Sequence, residues 1–168
     1  MDKKENSRNA ELELKHIELE MRARRFRHLR HFIDPYYCYT NDIVRPSGAI
    51  NTDDVMWREY VSVEARRLQE ITTDARELRK LVRREHLIPL RHIKQLLREI
   101  AESDSFTLDD IGQCLDSNLH FATITREEDK KLNKLRLGQK MPEGYSQIGH
   151  DLYNDKFARY RIAGIKLT

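Results

Sequence analysis

An all-α fold is the architecture this sequence predicts, and three observations carry it. Apolar residues recur at helical spacing over most of positions 9–138. Charged residues make up 35% of the chain and aromatics 8%, a balance suited to exposed helical faces rather than to a two-sheet sandwich. Two Thr-x-x-acid patterns, Thr107 with Asp110 and Thr125 with Glu128, stand ahead of apolar runs as capping boxes. With 168 residues and 39% hydrophobic content, the chain has the length of one domain with a modest core. It divides on this reading into a disordered tail over 1–8, a helical domain over 9–138 and an irregular segment over 139–168.

Positions 1–8 are polar and charged, with nothing to bury. From Asn9 onward Ala10, Leu14, Ile17 and Met21 form one stripe, and Leu12, Leu19, Phe26, Leu29 and Ile33 form a second beside it. One basic N-terminal helix with a broad apolar face is therefore expected up to residue 33. Pro35 restricts Asp34 and cannot join the hydrogen-bond ladder. Residues 34–52, with Pro35, Tyr36, Tyr37, Tyr39, Pro46 and Gly48, read as an ordered loop whose tyrosines serve core packing or base stacking. Asn51 or Thr52 caps the next helix, and Asp53 and Asp54 place negative charge at the positive end of its dipole.

Over 57–82 the apolar residues fall on a heptad: Trp57, Ile71 and Leu78 at one position, Val61, Leu68, Ala75 and Val82 at the other, with Glu64 the one break. That pattern predicts a long helix of about 39 Å with a coiled-coil seam. Pro89 suits the first position of a following helix that carries Leu90, Ile93, Leu97 and Ile100, so the long helix is expected to bend at Pro89 into a helical hairpin, with Leu87 and Ile88 filling the corner. The seam residues Trp57, Val61, Leu68, Ile71, Leu78 and Val82 are expected to bury against a second helix, either the first of the same chain or the copy in a partner subunit. Two short capped helices follow, and Gly138 closes the second. The tail holds Pro142, Gly144, Gly149 and Gly164, and residues 157–167 read as either a short helix or one strand.

The formal net charge is only +3, so the basic character is local and any steering comes from a face. Arg22, Arg24, Arg25, Arg27 and Arg30 run without an intervening acid, more cation than a helix C-terminus needs. A second basic stretch holds Arg76, Arg79, Lys80, Arg83 and Arg84, then Arg91, Lys94 and Arg98, interleaved with Glu77, Glu85 and Glu99. Such clusters suit phosphate contact. No Gly-rich phosphate loop and no Ser/His/Asp or Cys/His arrangement accompanies them, and a non-enzymatic protein without cofactor is expected. The histidines lack metal-site spacing, and the paired acids Asp53 with Asp54 and Asp109 with Asp110 sit in first helical turns, where capping accounts for them. Cys38 and Cys114 form no framework, the start has no apolar signal core, and no apolar run suits a membrane span. A soluble cytoplasmic protein is expected, in the host cytoplasm for a viral chain.

The text Ala75, Arg76, Glu77, Leu78, Arg79, Lys80 leading to Arg83, Arg84, Glu85, His86, Leu87, Ile88, Pro89 resembles the central region of phage terminase small subunits, within a stretch covering 57–101. The resemblance implies an assembly element, viral DNA as ligand and a larger packaging protein as partner. His86 departs from the usual pattern, and the helix-turn-helix reader common in that family has no counterpart over 9–52. The function expected is thus an oligomeric nucleic-acid-binding protein meeting duplex DNA through phosphates. Arg22, Arg24, Arg25, Arg27 and Arg30 make the contacts, supported by Arg79, Arg83 and Arg84. The rival readings are a helical adaptor for another protein and a small mobile-element regulator or inhibitor.

Overall fold

A computed structural model describes residues 3–168. The chain forms two compact units, one from Met1–Val55 with Ile93–Leu119 and the other from Met56–His92 with His120–Thr168. Helices dominate, but a three-stranded sheet stands where an all-α fold was expected.

The first unit begins with α1, Lys3–Arg22. Residues 3–8, expected as part of a disordered tail, are its first turns; positions 1 and 2 of that tail lie outside the described residues. Asn6 is buried there and donates to Asp42 Oδ1 at 2.7 Å. The stripe through Ala10, Ile17 and Met21 faces the core as the spacing predicts, whereas Leu12 and Leu19 of the second stripe stay exposed. The helix does not run on to residue 33. A turn intervenes, and α2 spans Arg30–Thr40 with Pro35 inside it. Proline removes one hydrogen bond from that helix, but burial of Ile33, Tyr36, Tyr37 and Cys38 offsets the loss. Packing therefore makes helix of the first part of the expected tyrosine loop, and Tyr36 donates to Asp116 Oδ1 at 2.8 Å. The capped helix expected after Asn51 is only a 3-10 turn, Thr52–Val55.

The expected heptad helix is absent from the second unit. Residues 57–82 hold β1 (Tyr60–Val61), α3 (Val63–Ile71) and α4 (Ala75–Leu81), and β2 follows as Val82–His86. Ser62 caps α3, accepting from the Ala65 amide at 3.0 Å. Thr72, Thr73 and Asp74 then break the helix, and the Asp74 carboxylate takes the Arg76 amide at 2.7 Å to start α4. Since β2 precedes Pro89, the helical hairpin gives way to a strand leading into α5, Leu90–Ile100.

Both capping boxes form. Thr107 opens α6, Leu108–Asn118, and Thr125 opens α7, Arg126–Lys134. Between them β3, Phe121–Thr125, is buried at every residue and occupies the centre of the sheet, in the order β1-β3-β2. β1 runs parallel to it and β2 antiparallel, with Val82 opposite Thr125 and His86 opposite Phe121. Gly138 does not close α7. Arg136, in the left-handed region at φ 60°, does so, with Leu137 N bonding Leu132 O at 2.8 Å. A Cβ on Gly138 would instead run into the Asn133 amide.

Of the two alternatives for the end of the chain, the short helix is the one that forms, followed by a single β-bridge at Leu167. Residues Ala158–Ala163 form α8, which ends at Gly164 in the left-handed region. The chain then extends beside β1, where Thr168 exchanges two backbone hydrogen bonds with Val61 at 2.9 and 3.1 Å. The core of this unit gathers Leu87, Ala122, Ile124, Leu132, Leu137, Tyr160, Ala163 and Ile165.

Candidate nucleic-acid interface

The N-terminal arginines run from the last residue of α1, Arg22, through the turn that follows to the first residue of α2, Arg30. Arg25 N bonds Glu20 O at 2.9 Å and Arg24 N bonds Met21 O at 3.0 Å, the paired bonds of a helix terminus whose left-handed residue is usually glycine. Here Arg24 takes that place, with φ 55°, a conformation costing a side-chain-bearing residue on the order of 1–2 kcal/mol. The termination sends the backbone away from the helix axis before α2 begins, so the five arginines do not encircle one helix.

Two of the five are used internally. Arg22 Nη2 lies 2.6 Å from Glu18, and its guanidinium stands 4.5 Å from the centroid of the Phe106 ring. Arg25 pairs with Glu20 at 2.5 Å. The other three, Arg24, Arg27 and Arg30, are exposed and make no ion pair among the described residues.

Two cations of α5 join them. Partial burial holds the Lys94 ammonium below the usual lysine range, and the positive charges of Arg98 and then Arg30 push it the same way. The effect of Arg30 places it in the field of α5. Arg98 lies over the Phe26 ring at 5.1 Å, and that ring is only 8% exposed. The surface thus brings Arg30, Lys94 and Arg98 together beside an aromatic already covered by a guanidinium, and the exposed Arg24 and Arg27 stand within two positions of that aromatic, Phe26, in the chain. Charge–phosphate contact is the chemistry available to it; stacking on a free ring is not.

Arg79, Arg83 and Arg84 belong to the second unit. Arg83 pairs with Asp129 at 2.7 Å and approaches Glu85 at 3.8 Å. Arg84 is partly buried with its guanidinium 4.9 Å from the Phe121 centroid. Arg79 lies on the exposed surface of α4. Arg83 is thus engaged by acids of its own unit and Arg84 by an aromatic ring of it, whereas the expected supporting role drew on both as phosphate contacts.

Arg159 escaped the reading of the sequence. It is completely buried, donates to the Leu137 carbonyl at 2.7 Å, to the Leu87 carbonyl at 3.2 Å and to the His86 carbonyl at 2.5 Å, and lies 3.6 Å from Glu85. Burial pushes the Glu85 carboxyl up, and the Arg159 and Arg83 charges oppose that shift. Nothing in its local text, Ala158-Arg159-Tyr160, separates it from a surface cation.

The residues expected to form a seam pack inside their own unit. Val61 and Val82 are buried with Ala65, and Trp57, Leu68 and Leu78 lie against them. Ile71, 63% exposed, stands outside this cluster. Among the described residues no group of three His, Cys, Asp or Glu side chains could hold a metal ion, and no helix is long and apolar enough to cross a membrane. Comparison with protein-family models, curated proteins and solved structures gave no match.

Proposed function

We propose that the cationic face of the first unit binds the phosphate backbone of duplex nucleic acid, and that the protein acts by binding and not by catalysis. The observation that supports this reading is the absence of any carboxylate partner for Arg24, Arg27, Arg30, Lys94 and Arg98 within the described residues. Such contacts position a protein without selecting bases. The packaging setting implied by the family resemblance depended on a continuous helical hairpin over 57–101. That stretch holds two helices and two strands ahead of α5, so the proposal of backbone binding is made without it.

Fluorescence anisotropy against an unrelated duplex tests the reading. Five phosphate contacts correspond to an affinity loss of about 500-fold between about 50 and 200 mM salt. Changing all five residues to glutamine should abolish binding to unrelated sequences alike. Absence of binding at the lower salt, or a loss confined to one sequence, would refute the assignment.

A further inference from the structure

An open groove of about 500 Å³ lies in the second unit, with Leu68 of α3 and Leu81 of α4 along one side and the first turns of α7 along the other. Leu81 is 42% exposed there, a large aliphatic side chain left facing solvent. The volume falls in the range of sites that take a ligand or an anchoring side chain.

The charges of the rim are unequally committed. Glu64 is held by Arg67 at 3.0 Å and Glu127 by Lys130 at 2.7 Å. Glu128 accepts from the Thr125 amide at 2.8 Å and from the Ser62 hydroxyl at 2.5 Å. Lys80, on the opposite wall, is paired outside the groove with Glu77 at 2.6 Å. Every acid of the rim is thus engaged, whereas Arg126 and Lys131 are exposed and make no ion pair among the described residues. The uncompensated charge over an aliphatic floor is positive.

We propose that this groove docks a short segment of a partner protein presenting an aliphatic side chain flanked by carboxylates. Leu68 and Leu81 would receive the aliphatic group, and Arg126 and Lys131 the carboxylates. A nucleic acid offers anionic charge but no aliphatic knob to cover Leu81, so charge and floor together select an acidic, leucine-bearing peptide. The site lies wholly within the second unit and does not depend on the phosphate-contact reading.

The test is an NMR titration of the ¹⁵N-labelled full chain with a designed helical peptide carrying two leucines one turn apart among glutamates. Saturable shifts confined to the amides of α3, α4 and the first turns of α7 are expected. The Arg126→Glu, Lys131→Glu double variant should bind at least about tenfold more weakly, and Leu81→Ser similarly. Peptides with lysine in place of glutamate, or serine in place of leucine, should not bind. Absence of shifts, shifts elsewhere, or equal binding of the leucine-free peptide would overturn the proposal. Shifts of the same amides on concentrating the protein alone would overturn it in favour of a second copy of this chain. Because the peptide variants leave the protein unaltered, the result stands even where a protein variant fails to fold.

Discussion

Arg27 and Arg30 in the first unit and Arg83 and Arg159 in the second come from stretches that look similarly basic or featureless in sequence, yet they do opposite work. The first pair stands exposed and makes no ion pair among the described residues. Of the second pair, Arg83 is tied to Asp129 and Arg159 is sealed among carbonyl oxygens. A guanidinium has five donors in a fixed fork, and what meets the fork decides its role. Where carbonyls and carboxylates from distant elements converge on it, the cation becomes a staple. Where none do, its field is left for an external anion.

Replacing Arg159 with methionine should break this contrast most sharply. It strips the donor from the His86, Leu87 and Leu137 carbonyls and leaves the half-buried Glu85 with a weakened partner, so a loss of about 3–5 kcal/mol in urea unfolding is expected. Arg159→Lys should recover little, since one ammonium cannot span the His86, Leu87 and Leu137 carbonyls. An unchanged unfolding midpoint in the methionine variant would mean the buried fork contributes nothing.

A smaller effect separates the arginines within the first unit. Changing Arg27 and Arg30 together to glutamine should lower the salt slope of duplex binding by about 1.8 while stability stays within about 0.5 kcal/mol. Changing Arg22 and Arg25 should do the reverse: little change in slope, and a stability loss of no more than about 1 kcal/mol, because both pairs are half exposed. Equal slopes for the two double variants would erase the distinction between paired and unpaired arginines.

The smallest effect is a pH dependence in the second unit. The folded-state carboxyl of Glu85 is raised by burial above its unfolded value, so the folded form binds the proton more tightly. Its contribution to stability is therefore fully present below the unfolded value and is lost as pH rises through the folded one. Relative to Glu85→Gln, the native protein should gain stability as pH falls from neutral towards the ordinary glutamate range. A difference between the two that stays flat with pH in urea titrations would refute the shift.

Much of the helical content could be read from spacing alone, and the reasons for the failures are specific. The capping boxes at Thr107 and Thr125 formed because each is a local arrangement, closed within one helical turn. The α1 stripe through Ala10, Ile17 and Met21 was legible because its period matches the helix. The heptad over 57–82 misled because Val61, Leu68 and Val82 do share one cluster, but they reach it from a strand, a helix and another strand. The break at Thr72, Thr73 and Asp74 falls between the heptad's apolar positions and so left its period undisturbed. β2 was hidden by its charges, which only its pairing with β3 and the acids of the second unit explain. On the candidate interface, the basic run itself was legible as a run of five arginines without an intervening acid. Which of its members were spoken for depended on Glu18 and Glu20, which precede the run.

The interleaving of the two units sets a schedule for synthesis. When β2 leaves the ribosome, β3, its ladder partner among the described residues, has yet to be translated, since the whole of α5 and α6 comes between them. The helices of the first unit can meet as soon as α6 emerges, consistent with N-terminal parts folding first during translation. The strand, by contrast, waits with an open edge and with the carbonyls of His86 and Leu87 still lacking Arg159. A nascent chain arrested after α6 would therefore carry every helix of the first unit together with a β2 whose ladder partner has not been made.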